Sequence, residues 1–179
     1  MKVMNFEPTP NPNAMKFNVD GKLIEGGSRS YDTPSAADGD VLATSLFALG
    51  KINSVFYMPG FVTVNKLPDA DWASLAPAIA RTIETTTEAH PAATGASAAG
   101  TGSGDELLEK INQVLDNQIR PALAGDGGGL EVVSLEGKKL VIRYQGACGS
   151  CPSSISGTLM AIENLLQAEV DGNLTVVAS

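Results

Sequence analysis

The 179-residue chain has two cysteines, one histidine and one tryptophan, and each scarcity narrows what it can be. Two cysteines cannot build the disulfide framework of a small secreted domain. A structural zinc site needs four ligands, so with one histidine it would require two chains. No apolar run approaches the 18 or so residues that cross a bilayer, and no membrane span is expected. Basic residues are outnumbered 12 to 20, for a net charge of −8. The deficit is −3 over residues 1–90 (7 basic, 10 acidic) and −5 over 105–179 (5 basic, 10 acidic). That sign opposes a phosphate backbone, so nucleic acid is not expected as a partner. The opening residues Met1-Lys2-Val3-Met4-Asn5-Phe6-Glu7-Pro8 lack the apolar core of a secretory signal and the Arg/Ser-rich look of a transit peptide. A cytoplasmic location is the expectation. What is present, 43% hydrophobic residues at a mean hydropathy of +0.05, describes a globular chain of one or two small domains.

Residues 1–90 read as an α+β unit. Val3–Phe6 is expected as a strand, and prolines 8, 10 and 12 fix an extended loop leading to a second strand near Met15–Val19. Gly21–Ser30 is polar and glycine-rich, hence loop, with Arg29–Tyr31 extended. Asp38 is placed as the cap of a helix over about Gly39–Leu49, with Val41, Leu42, Ser45, Leu46 and Leu49 on one face and Gly50 as its stop. The runs Ile52–Tyr57 and Phe61–Asn65 flank Met58-Pro59-Gly60 as a hairpin. A helix from Asp71 to about Thr87 closes the unit, with Pro77 expected to kink it or mark its start. The aromatics Phe56, Tyr57, Phe61 and Trp72 have the spacing of core residues rather than of a docking surface.

From Pro91 to Gly104 the chain holds only Ala, Gly, Ser, Thr and one Pro. Such a segment buries too little apolar surface to offset its ordering entropy, so residues 91–104 are read as a flexible linker spanning roughly 20 Å. Residues 105–179 form the second unit. Asp105 caps a helix carrying Leu107, Leu108, Ile111, Val114, Leu115 and Ile119 and ending before Pro121. Gly125-Asp126-Gly127-Gly128-Gly129 lacks the Gly-Lys-Ser/Thr ending of a phosphate loop and reads as a tight turn into strand Leu130–Leu135. Glu136-Gly137-Lys138 turns the chain into a strand ending at Tyr144. Asp171-Gly172-Asn173 leads to a final strand, Leu174–Ala178. The order is α-β-β-α-β.

Both cysteines fall between that second strand and a helix over about Pro152–Glu169, within Gly146-Ala147-Cys148-Gly149-Ser150-Cys151-Pro152-Ser153-Ser154. Pro152 suits the first helical position. The thiols then sit in a glycine-containing turn at the positive end of a helix dipole, where a thiolate is favoured. Two thiolates at this spacing can hold one edge of a metal centre or oxidise to each other.

These stretches resemble a known family. The second unit is similar to the Nfu family, the NifU-like iron-sulfur cluster carriers, through three stretches: Ile119–Leu123 with Asp126-Gly127-Gly128, the cysteine motif, and Thr158-Leu159 with Ile162-Glu163. The first unit resembles the domain that precedes it in many Nfu proteins, through Thr9-Pro10-Asn11-Pro12-Asn13-Ala14-Met15-Lys16-Phe17 and the hairpin Val55–Val64. The resemblance implies a non-enzymatic carrier that receives an iron-sulfur cluster from an upstream assembly scaffold and passes it to apo iron-sulfur proteins. It carries the cluster ligands onto Cys148 and Cys151, and gives the Asp-Gly-Gly stretch no role.

Other readings of the pair fit less well. A disulfide closing so short a loop gains only roughly 2 kcal/mol and would be reduced in cytosol. A dithiol-disulfide oxidoreductase of the thioredoxin kind is the sharper rival, but Pro152 is the only proline after Cys151, which leaves no later candidate for the cis-proline of such folds. His90 reads as a solvated residue at the linker edge. A fully protein-bound cluster takes four thiolates and each chain supplies two, which predicts a cluster-bridged homodimer. The cluster is expected as [4Fe-4S], with [2Fe-2S] the alternative.

Overall fold

A computed structural model describes residues 1–25, 27–89, 106–150 and 152–179. The expected linker at 91–104, the Asp105 cap, His90 and Cys151 lie outside the described residues. The chain divides into two compact units, Met1–Ala98 and Ala99–Ser179, both mixing helices with sheet.

In the first unit the strands are β1 (Val3–Pro8), β2 (Ala14–Val19), β3 (Arg29–Tyr31), β4 (Ile52–Met58) and β5 (Phe61–Lys66). They form one sheet in the order β1-β2-β5-β4-β3, with every pairing antiparallel. Pro59 and Gly60 make the β4–β5 turn, and β5 lies at the centre of the sheet. Helices α1 (Val41–Phe47) and α2 (Trp72–Ala89) supply Leu42, Leu46, Leu75, Ile79 and Ile83 to a core that takes Phe17, Val55, Tyr57, Val62 and Val64 from the strands. Phe56 and Tyr57 are fully buried and Phe61 nearly so. Trp72 packs half-buried on the core and donates its indole N–H to the Pro12 carbonyl at 3.1 Å.

Two expectations are corrected here. The cap of α1 is Asp40, whose carboxylate accepts the Ala43 N–H at 3.0 Å. Gly39, at φ +90°, bends the chain one residue past Asp38, so the helix starts two residues later and buries Leu42, Ala43, Leu46 and Phe47. Pro77 neither starts α2 nor stops it. Pro77 is exposed, and its missing N–H costs the helix one hydrogen bond to the preceding turn.

The second unit contains α3 (Glu106–Val114), α4 (Arg120–Gly125), β6 (Gly128–Glu136), β7 (Lys139–Gly146), α5 (Pro152–Glu169) and β8 (Thr175–Ala178). The helix expected to end before Pro121 instead continues. Leu115–Ile119 make one π-helical turn and the chain runs on as α4, with Pro121 in the first turn, where a missing N–H costs little. Arg120 bridges this change of pitch, pairing with Asp116 and donating to Asn112 Oδ1 at 3.2 Å.

Strands β6 and β7 form an antiparallel hairpin, and β8 pairs with β7 in parallel, reached through α5. The helix is tied to that edge strand from its own side chains: Glu163 accepts the Val176 N–H at 2.8 Å and Gln167 donates to the Leu174 carbonyl at 2.7 Å. Ile111, Leu115, Leu140, Ile142, Ile162 and Leu166 are fully buried in this core. No helix among the described residues is long and apolar enough to cross a membrane.

Candidate metal centre

The β6–β7 hairpin brings two glycine stretches opposite each other, with Gly128 paired to Gly146 and Gly129 to Gln145. Gly127 at φ +75° and Gly146 at φ +66° adopt the left-handed backbone that glycine tolerates without strain. The Ala147 N–H donates to the Gly127 carbonyl at 3.2 Å, which locks the start of the cysteine turn onto the end of the Asp-Gly-Gly stretch. From there Ala147–Ser150 form a 3₁₀ turn, and α5 opens at Pro152. As the spacing predicted, the cysteine motif leads from strand to helix, with Cys148 half-buried in the turn.

The sulfur of Cys148 rests against Gly128. A Cβ placed on Gly128 would lie 2.5 Å from Cys148 Sγ, 3.1 Å from its Cβ and 3.0 Å from the Gln145 carbonyl. The first of these forces the sulfur to move and the other two are tight, so glycine lets this cysteine keep its seat. Gly149 has a similar constraint, since a Cβ there would stand 3.1 Å from the Tyr144 carbonyl. The Asp-Gly-Gly stretch, which the sequence left without a role, is therefore the floor under Cys148.

Two side chains of β7 complete the surroundings. Gln145 is buried and donates to Glu131 Oε2 at 3.0 Å across the hairpin. Tyr144 belongs to the core on which Cys148 packs. Burial, and then the negative charge of Cys148, push its hydroxyl up to about 12. Nothing in the sequence marked Tyr144, which reads as one more apolar position of an alternating strand.

Of the two cysteines predicted to act together, the described residues include only Cys148. Among those residues no three of His, Cys, Asp and Glu converge as metal ligands.

Comparison with known proteins places this geometry. Residues 4–90 match the family model described as "Scaffold protein Nfu/NifU N terminal", and residues 111–177 match the one described as "NifU-like domain". A human protein named "NFU1 iron-sulfur cluster scaffold homolog, mitochondrial" is 36% identical over 178 residues, which cover 93% of this chain and 68% of that protein. The chain belongs to the Nfu/NifU iron-sulfur cluster scaffold family. A second relative, "NifU-like protein 4, mitochondrial" of Arabidopsis thaliana, is 32% identical over 93% of this chain and 63% of its own length. The chain spans about three fifths of its Drosophila relatives, 59% in Drosophila persimilis. Among solved structures, that of a NifU-like protein from Saccharomyces cerevisiae covers 48% of this chain and 79% of its own, at 23% identity and a TM-score of 0.41. The Nfu/NifU match extends across both units, so the cysteine motif lies in the setting that the resemblance implied.

Proposed function

We propose that this Nfu/NifU chain is a non-enzymatic carrier that holds an iron-sulfur cluster as cargo on Cys148 and Cys151 and passes it to apo-proteins. The observation that carries the reading is the seat of Cys148: a half-exposed thiol set against a glycine floor, ahead of a helix. A sulfur so placed is open to an incoming iron and to the thiolate that later displaces it. Transfer is then ligand exchange. Each acceptor thiolate forms an iron–sulfur bond as one iron–thiolate bond of the carrier breaks, no electron changes hands, and the departing thiolate takes a proton from solvent. The cargo is read as [4Fe-4S] shared by two chains, since four thiolates complete its shell and one chain offers two.

Anaerobic reconstitution with iron and sulfide tests this. The chain should develop broad visible absorption, sediment as a dimer with about four irons per two chains, and revert to monomer on chelation. Cys148→Ser and Cys151→Ser should each abolish the chromophore. A protein that stayed colourless while reducing a model disulfide would instead be a dithiol-disulfide oxidoreductase. A loaded monomer with full iron content would remove the shared-cluster part of the proposal.

A further inference from the structure

Tyr144 is more than nine-tenths buried, and its hydroxyl has no hydrogen-bond partner among the described residues. An orphaned buried hydroxyl is costly and uncommon, because burial strips its water and nothing replaces it. Two other buried side-chain atoms among the described residues share that state, Arg29 Nη2 and Thr63 Oγ1, and both belong to the first unit. Only the Tyr144 oxygen belongs to the second unit, on the strand that leads into the cysteine turn. Its ring is part of the core on which Cys148 packs, and Gly149 folds down onto the Tyr144 carbonyl. The neighbouring polar side chain, Gln145, already has its partner in Glu131. A phenol is neutral at pH 7 and has one proton to donate.

We infer that the Tyr144 hydroxyl is a built-in hydrogen-bond donor for a sulfur of the loaded site, unsatisfied while the carrier is empty and satisfied when cargo is bound. The inference rests on the reading that Cys148 binds a cluster. Hydrogen bonds to cluster and ligand sulfurs draw off electron density, raise the reduction potential and slow ligand exchange. Tyr144 is thus a positioning and tuning residue that helps to set how long the cargo is held. The design is asymmetric, since the same oxygen costs stability in the empty chain and adds it in the loaded one.

Tyr144→Phe removes that oxygen and little else, so the test compares the full-length wild type and variant, each empty and reconstituted. The empty variant should melt no lower than wild type, and above it if the oxygen is orphaned in solution as well. The loaded variant should lose its cluster to a chelator about tenfold faster, the loss of one hydrogen bond to a charged acceptor. Its reduction potential should move to a more negative value. In resonance Raman, a shift of the iron–thiolate mode would identify a cysteine sulfur as the acceptor, and a shift of the bridging mode would identify a sulfide. Equal chelation rates and equal potentials in two normally loaded proteins would overturn this inference alone. So would an empty variant that melts lower or fails to fold, since the hydroxyl would then be a structural group. A wild-type chain that takes up no cluster would overturn the carrier reading, and the inference with it.

Discussion

The two units put their buried polar groups to different uses. In the first, the Asp40 carboxylate lies beneath the surface and takes four donors: Arg29 Nη1 at 2.6 Å, the Tyr31 hydroxyl at 3.0 Å, the Tyr57 hydroxyl, and the Ala43 N–H at 3.0 Å. Burial alone would raise its pKa, but those donors together hold it below the ordinary carboxylate range. The cluster ties α1 to strands β3 and β4, so its energy goes into the fold. In the second unit, a half-buried cysteine lies on a glycine floor and packs on a core that holds a buried hydroxyl with no partner among the described residues. There the sheet supplies a platform and leaves donors open. A carboxylate that gathers four donors fixes one structure even though Arg29 Nη2 stays unpartnered, whereas an unsatisfied hydroxyl in the core under the cysteine turn gives a reason for something to bind.

The largest effect should come from breaking the satisfied network. Asp40→Ala leaves the Arg29 guanidinium buried without its countercharge, and such truncations cost about 3–5 kcal/mol. Trp72 is the single tryptophan and lies in the first unit, so denaturation followed by its fluorescence reports that unit. Iron loading at Cys148 should persist at temperatures where the variant's first unit remains folded. An unmoved Trp72 transition would show that the Asp40 cluster is dispensable, and iron loading lost under those conditions would show that the units are coupled.

Titrating the same carboxyl should have a smaller effect, because a protonated Asp40 keeps part of its hydrogen bonding. A depressed carboxyl contributes stability that is present in full above its unfolded value, 3.8, and lost as pH falls through the folded value. The Trp72-reported midpoint should therefore be nearly flat from about pH 7 to 5 and fall steeply below about pH 4. The carboxyl held low in the second unit, Asp171 paired with Lys138, lies at the surface, where solvent screens the pair, so that unit should respond less. In alkali the contrast should vanish. Tyr57 and Tyr144 both have raised pKa values, so their contributions are complete below their unfolded value of 10 and decline as pH rises above it. A first unit no more acid-sensitive than the second would remove Asp40 from this role.

Much of this was legible in the residues. Apolar and β-branched runs placed the longer strands among the described residues, Arg29–Tyr31 was read only as an extended end of a polar loop, and the Gly-Ala-Cys motif located the turn and Cys148. Chain breakers misled where a local rule lost to its surroundings. Pro121 reads as a helix end, yet the π-helical turn before it sets its missing N–H among first-turn positions that lack partners. Pro77 reads as a kink or a helix start, and α2 begins ahead of it at Trp72. Asp38 and Asp40 are equally good caps on paper, and what separates them is the left-handed Gly39 together with three side-chain donors reaching Asp40 from β3 and β4. The parallel pairing of β8 with β7 and the contact between Gly128 and Cys148 join residues distant in sequence, so no local pattern could show either.

The finest test of the contrast separates two glycines at opposite ends of one short stretch. At Gly128 a methyl group would meet Cys148 Sγ at 2.5 Å and the Gln145 carbonyl at 3.0 Å, whereas at Gly125 it would meet nothing within 4 Å. Gly128→Ala should thus cost the second unit about 1–3 kcal/mol, the usual range for overpacking, and push the thiol off its seat. Iron bound per chain after reconstitution should fall with it. Gly125 closes α4 without a left-handed backbone, so Gly125→Ala should leave loading unchanged and stabilise the helix by about 0.5 kcal/mol through the lower entropy of the unfolded chain. Far-UV circular dichroism during denaturation, with Trp72 fluorescence subtracting the first unit, measures the stability change, and iron and sulfide assays measure the loading. If both alanines reduced loading equally, the whole stretch would matter only as a flexible loop. If neither did, Cys148 would not depend on a glycine floor, and the platform ascribed to the second unit would have to be sought on the α5 side of the turn.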